Sequence, residues 1–325
     1  GLEGGEEPEE EERTGEPPAA AGESPQGRLK DETCPAWRHK KKHLFVLSNA
    51  GKPIFSRYGD ENSLAGFMAI LQAMISFVQD SGDTLHSVRA GKYLVVFLVR
   101  GPLYLVAAAA TGEPVAVLAQ QLHVFYQQLI AILTNAVERA FLKSPKFDMR
   151  QLLGGTAPVL QALIKSFTWN PALLLGAIPP LPLPPSARKA AFAALQAVHV
   201  PHLQFAILLS GSQVVAVLSP RNAPMHHQDL LLVSNFVQSS ESFRLSESFS
   251  PVCLPQYNPA AFLYTYITYV AGGVCLLLLS SNPQSFHELA DARVAIETNL
   301  KKQSVINAIT RMNADPLLQL NKIPA

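Results

Sequence analysis

The residues that could carry covalent chemistry are few and scattered. Nine histidines occur, and the adjacent pair is His226-His227, with Asp229 close by. Neighbours on a helix point about 100° apart and seldom share a metal, whereas a pair four residues apart faces one way. The favoured reading of this cluster is therefore a polar helix start. The three cysteines, Cys34, Cys253 and Cys275, are odd in number and far apart, which speaks against a disulfide framework. Cys253 and Cys275 sit in apolar strand-like runs and read as inert core thiols. GxGxxG, GxxxxGK[ST], HExxH and GxSxG are absent, and no pair of carboxylates is placed for acid–base work. No catalytic residue, metal ligand or cofactor is expected, so the chemistry left is that of binding.

Two stretches carry binding character. The first runs from Ser63 to Val78 and holds no charged residue. Leu64, Phe67, Met68, Leu71, Met74, Ile75 and Val78 recur at helical spacing and form its main stripe. Gly66, Ile70, Ala73 and Phe77 form a second. A surface helix keeps one polar face, so a second apolar face must be covered, by the rest of the chain or by a partner. Small residues at Gly66, Ala69 and Ala73 would let another backbone approach closely. The second stretch is the basic cluster Arg38-His39-Lys40-Lys41-Lys42-His43. It is either a solvated charge run or a contact with anionic lipid through Arg38, Lys40, Lys41 and Lys42, at about 1 kcal/mol per residue.

These stretches sit in a repeated framework. Residues 1–33 hold eleven acids and three bases, a net of −8, which leaves +9 for the rest of a 325-residue chain whose overall charge is +1. The balance falls short of a nucleic-acid binder. Residues 1–37 are too poor in large apolar side chains to offset ordering entropy and read as a disordered acidic tail. Strand, strand, helix, three strands, helix then follows over 38–150: Leu44–Leu47, Pro53–Ser56, Ser63–Val78, Thr84–Arg89, Tyr93–Val99, Leu103–Ala109, and a helix opened by Gly112-Glu113-Pro114. Asp60-Glu61-Asn62-Ser63 supplies helix-capping residues. The same order returns over 201–312, offset by about 160 residues, and ends in one long helix, Ser285–Ile309. Short connections favour antiparallel pairing, so the expected fold is α/β (α+β): two domains, each an antiparallel five-stranded sheet with helices on both faces. Residues 151–200 form a helical, proline-rich linker. Its run Pro179–Pro185 reads as a stiff connector packed along the domains rather than an SH3 ligand. Residues 313–325 form a C-terminal tail.

One membrane question remains. Ser248–Phe286 contains no Asp, Glu, Lys or Arg and is long enough to span a bilayer. Its partial alternation and the Gly272-Gly273 break favour strands joined by a turn.

Lys42-His43-Leu44-Phe45-Val46-Leu47-Ser48 followed by Gly51-Lys52-Pro53-Ile54-Phe55-Ser56-Arg57-Tyr58-Gly59 closely resembles the opening of the SAND family, the Mon vacuolar-fusion proteins. Phe147–Gly155, Pro251–Pro259 and Val274–Leu279 resemble further blocks of that family, and the likeness spans about residues 40–310. It implies tandem longin domains, agreeing with the repeat read from the residues. It also implies guanine-nucleotide exchange on a late-endosomal Rab GTPase, performed together with a Ccz-type longin subunit. First longin domains would pair between the subunits, giving Gly66, Ile70, Ala73 and Phe77 a partner. An early-endosomal Rab and anionic phosphoinositide membranes are further implied partners, and the place of action is cytoplasmic, peripheral on endosomes and lysosomes or vacuoles. The alternative is a non-enzymatic longin scaffold in vesicle trafficking. Members of the family continue into a third longin domain. This chain ends at Ala325, and Arg311–Ala325 departs from their continuation, so the expectation is a form truncated after the second domain.

Overall fold

A computed structural model describes residues 40–59, 64–143, 149–270 and 273–314. The acidic tail, the capping segment 60–63, Arg38, Cys34 and residues 315–325 lie outside the described residues.

The first half forms strands β1 (Lys42–Ser48), β2 (Pro53–Ser56), β3 (Ser87–Ala90), β4 (Tyr93–Arg100) and β5 (Leu103–Ala109), with helices α1 (Ala65–Asp80) and α2 (Val115–Leu133). Helices α3 (Ala136–Lys143), α4 (Ala157–Ser166) and α5 (Pro185–Gln196) connect it to the second half. That half holds β6 (Leu203–Ser210), β7 (Gln213–Leu218), α6 (His227–Gln238), α7 (Ser242–Leu245), β8 (Ser248–Leu254), β9 (Asn258–Val270), β10 (Val274–Ser280), α8 (Phe286–Lys302) and α9 (Val305–Ala314).

The strands form two antiparallel sheets of one topology, β2-β1-β5-β4-β3 and β7-β6-β10-β9-β8. In each, the first strand pairs with the last, as in Val46 opposite Leu105 and Leu277 opposite Ile207. Strands β1 and β10 are buried along their whole length. Both faces are covered, so these strands read as continuous apolar runs rather than alternating ones. Leu44, Val46, Leu105 and Ala107 face the core containing α2, while Phe45, Leu47, Tyr104 and Val106 face α1. In the second sheet Leu208, Leu276 and Leu278 pack with α5, α8 and α9, and Ile207, Leu277 and Leu279 pack with α6. The charge-free run 248–286 thus supplies β8, β9 and β10.

The halves share one core through α2. Leu118, Leu122, Phe125 and Leu129 of α2 belong to the cluster that also holds Leu160 and Leu163 of α4, Leu231 and Leu232 of α6, and Cys253 of β8. By length and composition α2 is apolar enough to cross a membrane, but these four residues are fully buried in protein.

The structure departs from the sequence expectations in three places. The strand expected at Thr84–Arg89 is the short, exposed edge strand β3, Ser87–Ala90. The single helix expected over Ser285–Ile309 is broken between α8 and α9, where Ser304 takes φ 55°. The break turns Val305, Ile306 and Ile309 into the α5–α8 layer, which a straight helix would carry past. Phe67 and Met74, expected on the inward stripe of α1, are 44% and 36% exposed. Only the stripe Leu64, Met68, Leu71 and Ile75 packs onto the sheet. In the linker Leu181 and Leu183 are buried, and the Leu181 N–H donates to Val214 O at 2.8 Å beside β7.

Candidate partner interface

Helix α1 is seated by four inward residues. Leu64, Met68, Leu71 and Ile75 pack against Phe45, Leu47, Phe97, Tyr104 and Val106. The β1–β2 turn supports it from beside: Gly51 has φ 75°, and a side chain there would meet Ala69 and Gln72 of α1. The opposite face is bare. Gly66, Ala69, Ile70, Ala73 and Phe77 are all exposed, Ile70 by 60% and Phe77 by 76%. Phe67 stands at its margin, edge-on to Phe45 with ring centroids 5.5 Å apart. The four residues read from the sequence as a second stripe therefore share one uncovered surface. Phe67, Ala69 and Met74 widen it. Periodicity assigned Phe67 and Met74 to the inward stripe, whereas they lie between the two stripes and are exposed.

Gly66 adds an argument from space. A Cβ built on it meets nothing within 4 Å, so nothing among the described residues requires glycine there. Glycine weakens a helix by up to about 1 kcal/mol relative to alanine. Its presence fits a surface that another backbone approaches closely.

The repeat supplies an internal comparison. Helix α6 holds the same place in the second half as α1 in the first. Its inner side, with Val233 and Val237, lies on the second sheet, and its outer side, with Leu231 and Leu232, is covered by α2 and α4. On α6 two apolar faces are matched by two coverings. On α1 two apolar faces have one covering within the described residues.

The basic cluster divides. Lys42 points inward and is 6% exposed; its ammonium donates to Glu113 Oε1 at 2.8 Å, to Glu113 Oε2 at 2.9 Å and to Gln121 Oε1. Burial pushes the Lys42 ammonium below the ordinary lysine value, and Glu113 opposes that shift. Burial works to raise Glu113, but hydrogen bonds from Lys42, Thr111 and Gln121 hold its carboxyl below the usual range. Lys42 is therefore committed inside the fold and is not placed to meet a lipid surface, because its alternation along β1 turns it toward α2. Lys40 and Lys41 stay at the surface beside Arg57 and Tyr58, with the Lys40 ammonium 5.9 Å and the Arg57 guanidinium 4.9 Å from the Tyr58 ring. Arg57 and Tyr58 lie fifteen or more positions away along the chain, and only the β1–β2 pairing brings them here.

The residues screened for covalent chemistry are structural. His226 caps α6, its Nδ1 accepting from Gln228 N at 3.3 Å. Buried Asp229 accepts the backbone N–H groups of Gln256 at 3.0 Å and Tyr257 at 2.9 Å, clamping the β8–β9 turn. Burial raises its carboxyl above the usual range, against those two bonds. Burial also pushes the Cys253 and Cys275 thiols up to about 12. Among the described residues no group of three His, Cys, Asp or Glu side chains is placed to hold a metal.

Comparison with known proteins places this geometry. Residues 42–163 match the first longin domain of FUZ, MON1 and HPS1, and residues 201–296 match the second. A vacuolar fusion protein MON1 homolog from Oryza sativa subsp. japonica is 48% identical over 295 residues, covering 91% of this chain and 52% of the relative. A homolog of the same name from Arabidopsis thaliana is 47% identical, covering 90% and 48%. Protein SAND from Takifugu rubripes is 37% identical, covering 88% and 56%. The chain spans about half the length of the curated relatives it matches.

Proposed function

The chain belongs to the FUZ, MON1 and HPS1 longin family and is similar within it to the MON1/SAND vacuolar fusion proteins, and on that premise we propose that it is a longin subunit of a Rab guanine-nucleotide exchange factor. It works with a Ccz-type longin partner on a late-endosomal Rab, in maturation and fusion of endosomes with lysosomes or vacuoles. The observation that carries this reading is the uncovered apolar face of α1, at the position where α6 is covered. That face is the surface on which the partner's first longin domain docks.

Such an exchange factor makes and breaks no covalent bond. It binds the GTPase state whose switch segment is displaced and whose nucleotide is loosened, shifting the population toward it. The scattered histidines, clamped Asp229 and inert thiols are compatible with that activity. Lys40 and Lys41 add weak attraction to an anionic membrane, about 1 kcal/mol each near its surface.

The test is co-expression with a Ccz-type partner, followed by release of a fluorescent guanine nucleotide from the Rab. A stable complex that accelerates release above either subunit alone supports the proposal. A complex that forms without acceleration selects the trafficking-scaffold reading, and absence of a complex sinks the assignment of α1.

A further inference from the structure

A second exposed surface lies away from α1, where the two halves meet. A cleft of about 380 Å³ opens between α4, the turn Pro171–Leu173, the segment Ala177–Pro179 and α6. This volume is within the range of ordinary ligand sites. Leu163, Leu173 and Leu231 are buried at its floor. Ser212, Ser234, Asn235 and Gln238 bring hydroxyl and carboxamide groups to its wall. Among the described residues Lys165 is the one charged residue of the lining, and no acid lines it.

One side of the mouth is apolar and exposed. Trp169 stands at the mouth and is 63% exposed, and the turn beside it leaves Leu174 40% and Leu175 81% exposed. Tryptophan is the residue most often found carrying binding energy at protein interfaces, and contiguous apolar exposure marks such surfaces. Nothing in α4 or the turn requires Trp169 to face solvent: the Trp169 N–H donates to Ser166 O at 3.3 Å, a bond any residue could make there.

We propose that this cleft docks an acidic peptide segment of another protein that carries a large apolar anchor. The anchor enters between Leu163, Leu173 and Leu231, an adjacent carboxylate meets the Lys165 ammonium, and the flanking chain lies over Trp169 and Leu175. Charge complementarity selects this occupant, because the lining among the described residues presents the Lys165 cation and no carboxylate that would repel an acidic peptide. The carboxamide oxygens of Asn235 and Gln238 suit the N–H groups of a peptide backbone, since Gln238 Nε2 already donates to Gly211 O at 2.8 Å and to Ser234 Oγ at 2.7 Å. Asn235 is already held from behind, its Nδ2 bonded to Gln128 Oε1 and Val159 O at 3.0 Å each, so the wall is rigid before binding. The site is distinct from the α1 face and does not rest on the exchange-factor proposal.

The test selects a displayed library of random twelve-residue peptides on the full chain, then measures recovered peptides by fluorescence polarisation. Lys165→Glu and Trp169→Ala alter exposed residues and leave the core intact. The expected result is a set of peptides pairing Asp or Glu with Phe, Leu or Trp. Their affinity should fall at least about tenfold on each variant, the scale of losing one hot-spot contact, while Ile70→Glu on α1 leaves it unchanged. Recovery of no peptides, of basic peptides, of peptides indifferent to both cleft variants, or of peptides lost only with Ile70→Glu overturns the proposal.

Discussion

Asn235 on α6 donates through Nδ2 to Gln128 Oε1 on α2 at 3.0 Å, and this bond joins the two halves of the chain inside their common core. Gln128 is fully buried, and its Nε2 has no partner among the described residues. The pair fixes how α6 lies on α2, because apolar contacts alone would tolerate sliding. Asn235 also donates to Val159 O, so one side chain ties α2, α4 and α6 together.

Replacing Asn235 with Leu should therefore strand the Gln128 carboxamide. An unsatisfied buried polar group costs about 1–3 kcal/mol. Thermal unfolding should show a Tm several degrees lower, at about 2–4 °C per kcal/mol for chains of this size class. An unchanged Tm would mean that the bond contributes nothing to the joint.

Gly66→Ala separates folding from binding. A methyl at this position meets open space within the chain, and alanine is the better helix former. The isolated chain should gain about 0.5 kcal/mol. Binding to the longin partner should weaken, because the methyl occupies the space of close approach. Denaturant unfolding and titration calorimetry read the two effects separately, and equal binding by both proteins would remove Gly66 from the interface.

Ile70→Glu and Phe77→Glu should abolish partner binding and leave the chain folded. Both side chains are more than half exposed, so neither change buries a charge in the monomer. Circular dichroism checks the fold and co-purification checks the complex. Loss of structure in either variant would place these residues in the chain's own core.

The Lys42–Glu113 pair makes a pH prediction. Glu113 titrates below its ordinary 4.5 in the folded chain, so its contribution is complete above pH 4.5 and is lost as pH falls through the folded value. Glu113→Gln leaves the Lys42 ammonium buried without its counter-charge. The cost should be about 2 kcal/mol, below that of a fully buried pair because Glu113 is 25% exposed. Lys42 then titrates further below 10.5. The folded state sheds its proton first, so the variant should regain stability as pH rises toward 10.5. Stability measured by urea at several pH values tests both arms.

Cys253 and Cys275 should resist modification in the native chain. Their thiols are pushed up to about 12, so the thiolate fraction at pH 8 is negligible, and both are buried. Peptide mapping after native maleimide treatment should find them unlabelled, and labelled in full after unfolding.

The repeated order of strands and helices was legible in the residues because it rests on local periodicity. Runs such as Leu44–Leu47 and Val274–Leu279, the turns at Gly51 and Gly211, and the double stripe of α1 announce themselves within a few positions. The family was legible for a related reason, since its opening motif lies on one hairpin. The break at Ser304 was not legible. Nothing in Lys301-Lys302-Gln303-Ser304 forbids a helix, and the turn is made by the burial of Val305 and Ile309 against α5 and α8.

The sequence by itself determined the repeated order of strands and helices and the double apolar stripe of α1, because both rest on local spacing. Its titratable groups are dispersed, and its most apolar surface helix carries no charge before Asp80 at its last position. Only the tertiary structure decided which apolar and basic residues remain available. Phe67 and Met74 face outward because the sheet receives only the stripe Leu64, Met68, Leu71 and Ile75. Lys42 is withdrawn from the basic cluster because Glu113 and Gln121, far along the chain, close around it. The outer face of α6 is sealed by α2 and α4, while that of α1 stays open among the described residues. That asymmetry between two copies of one pattern follows from chain connectivity, since α2, which packs on the first sheet, also lies with α4 against α6.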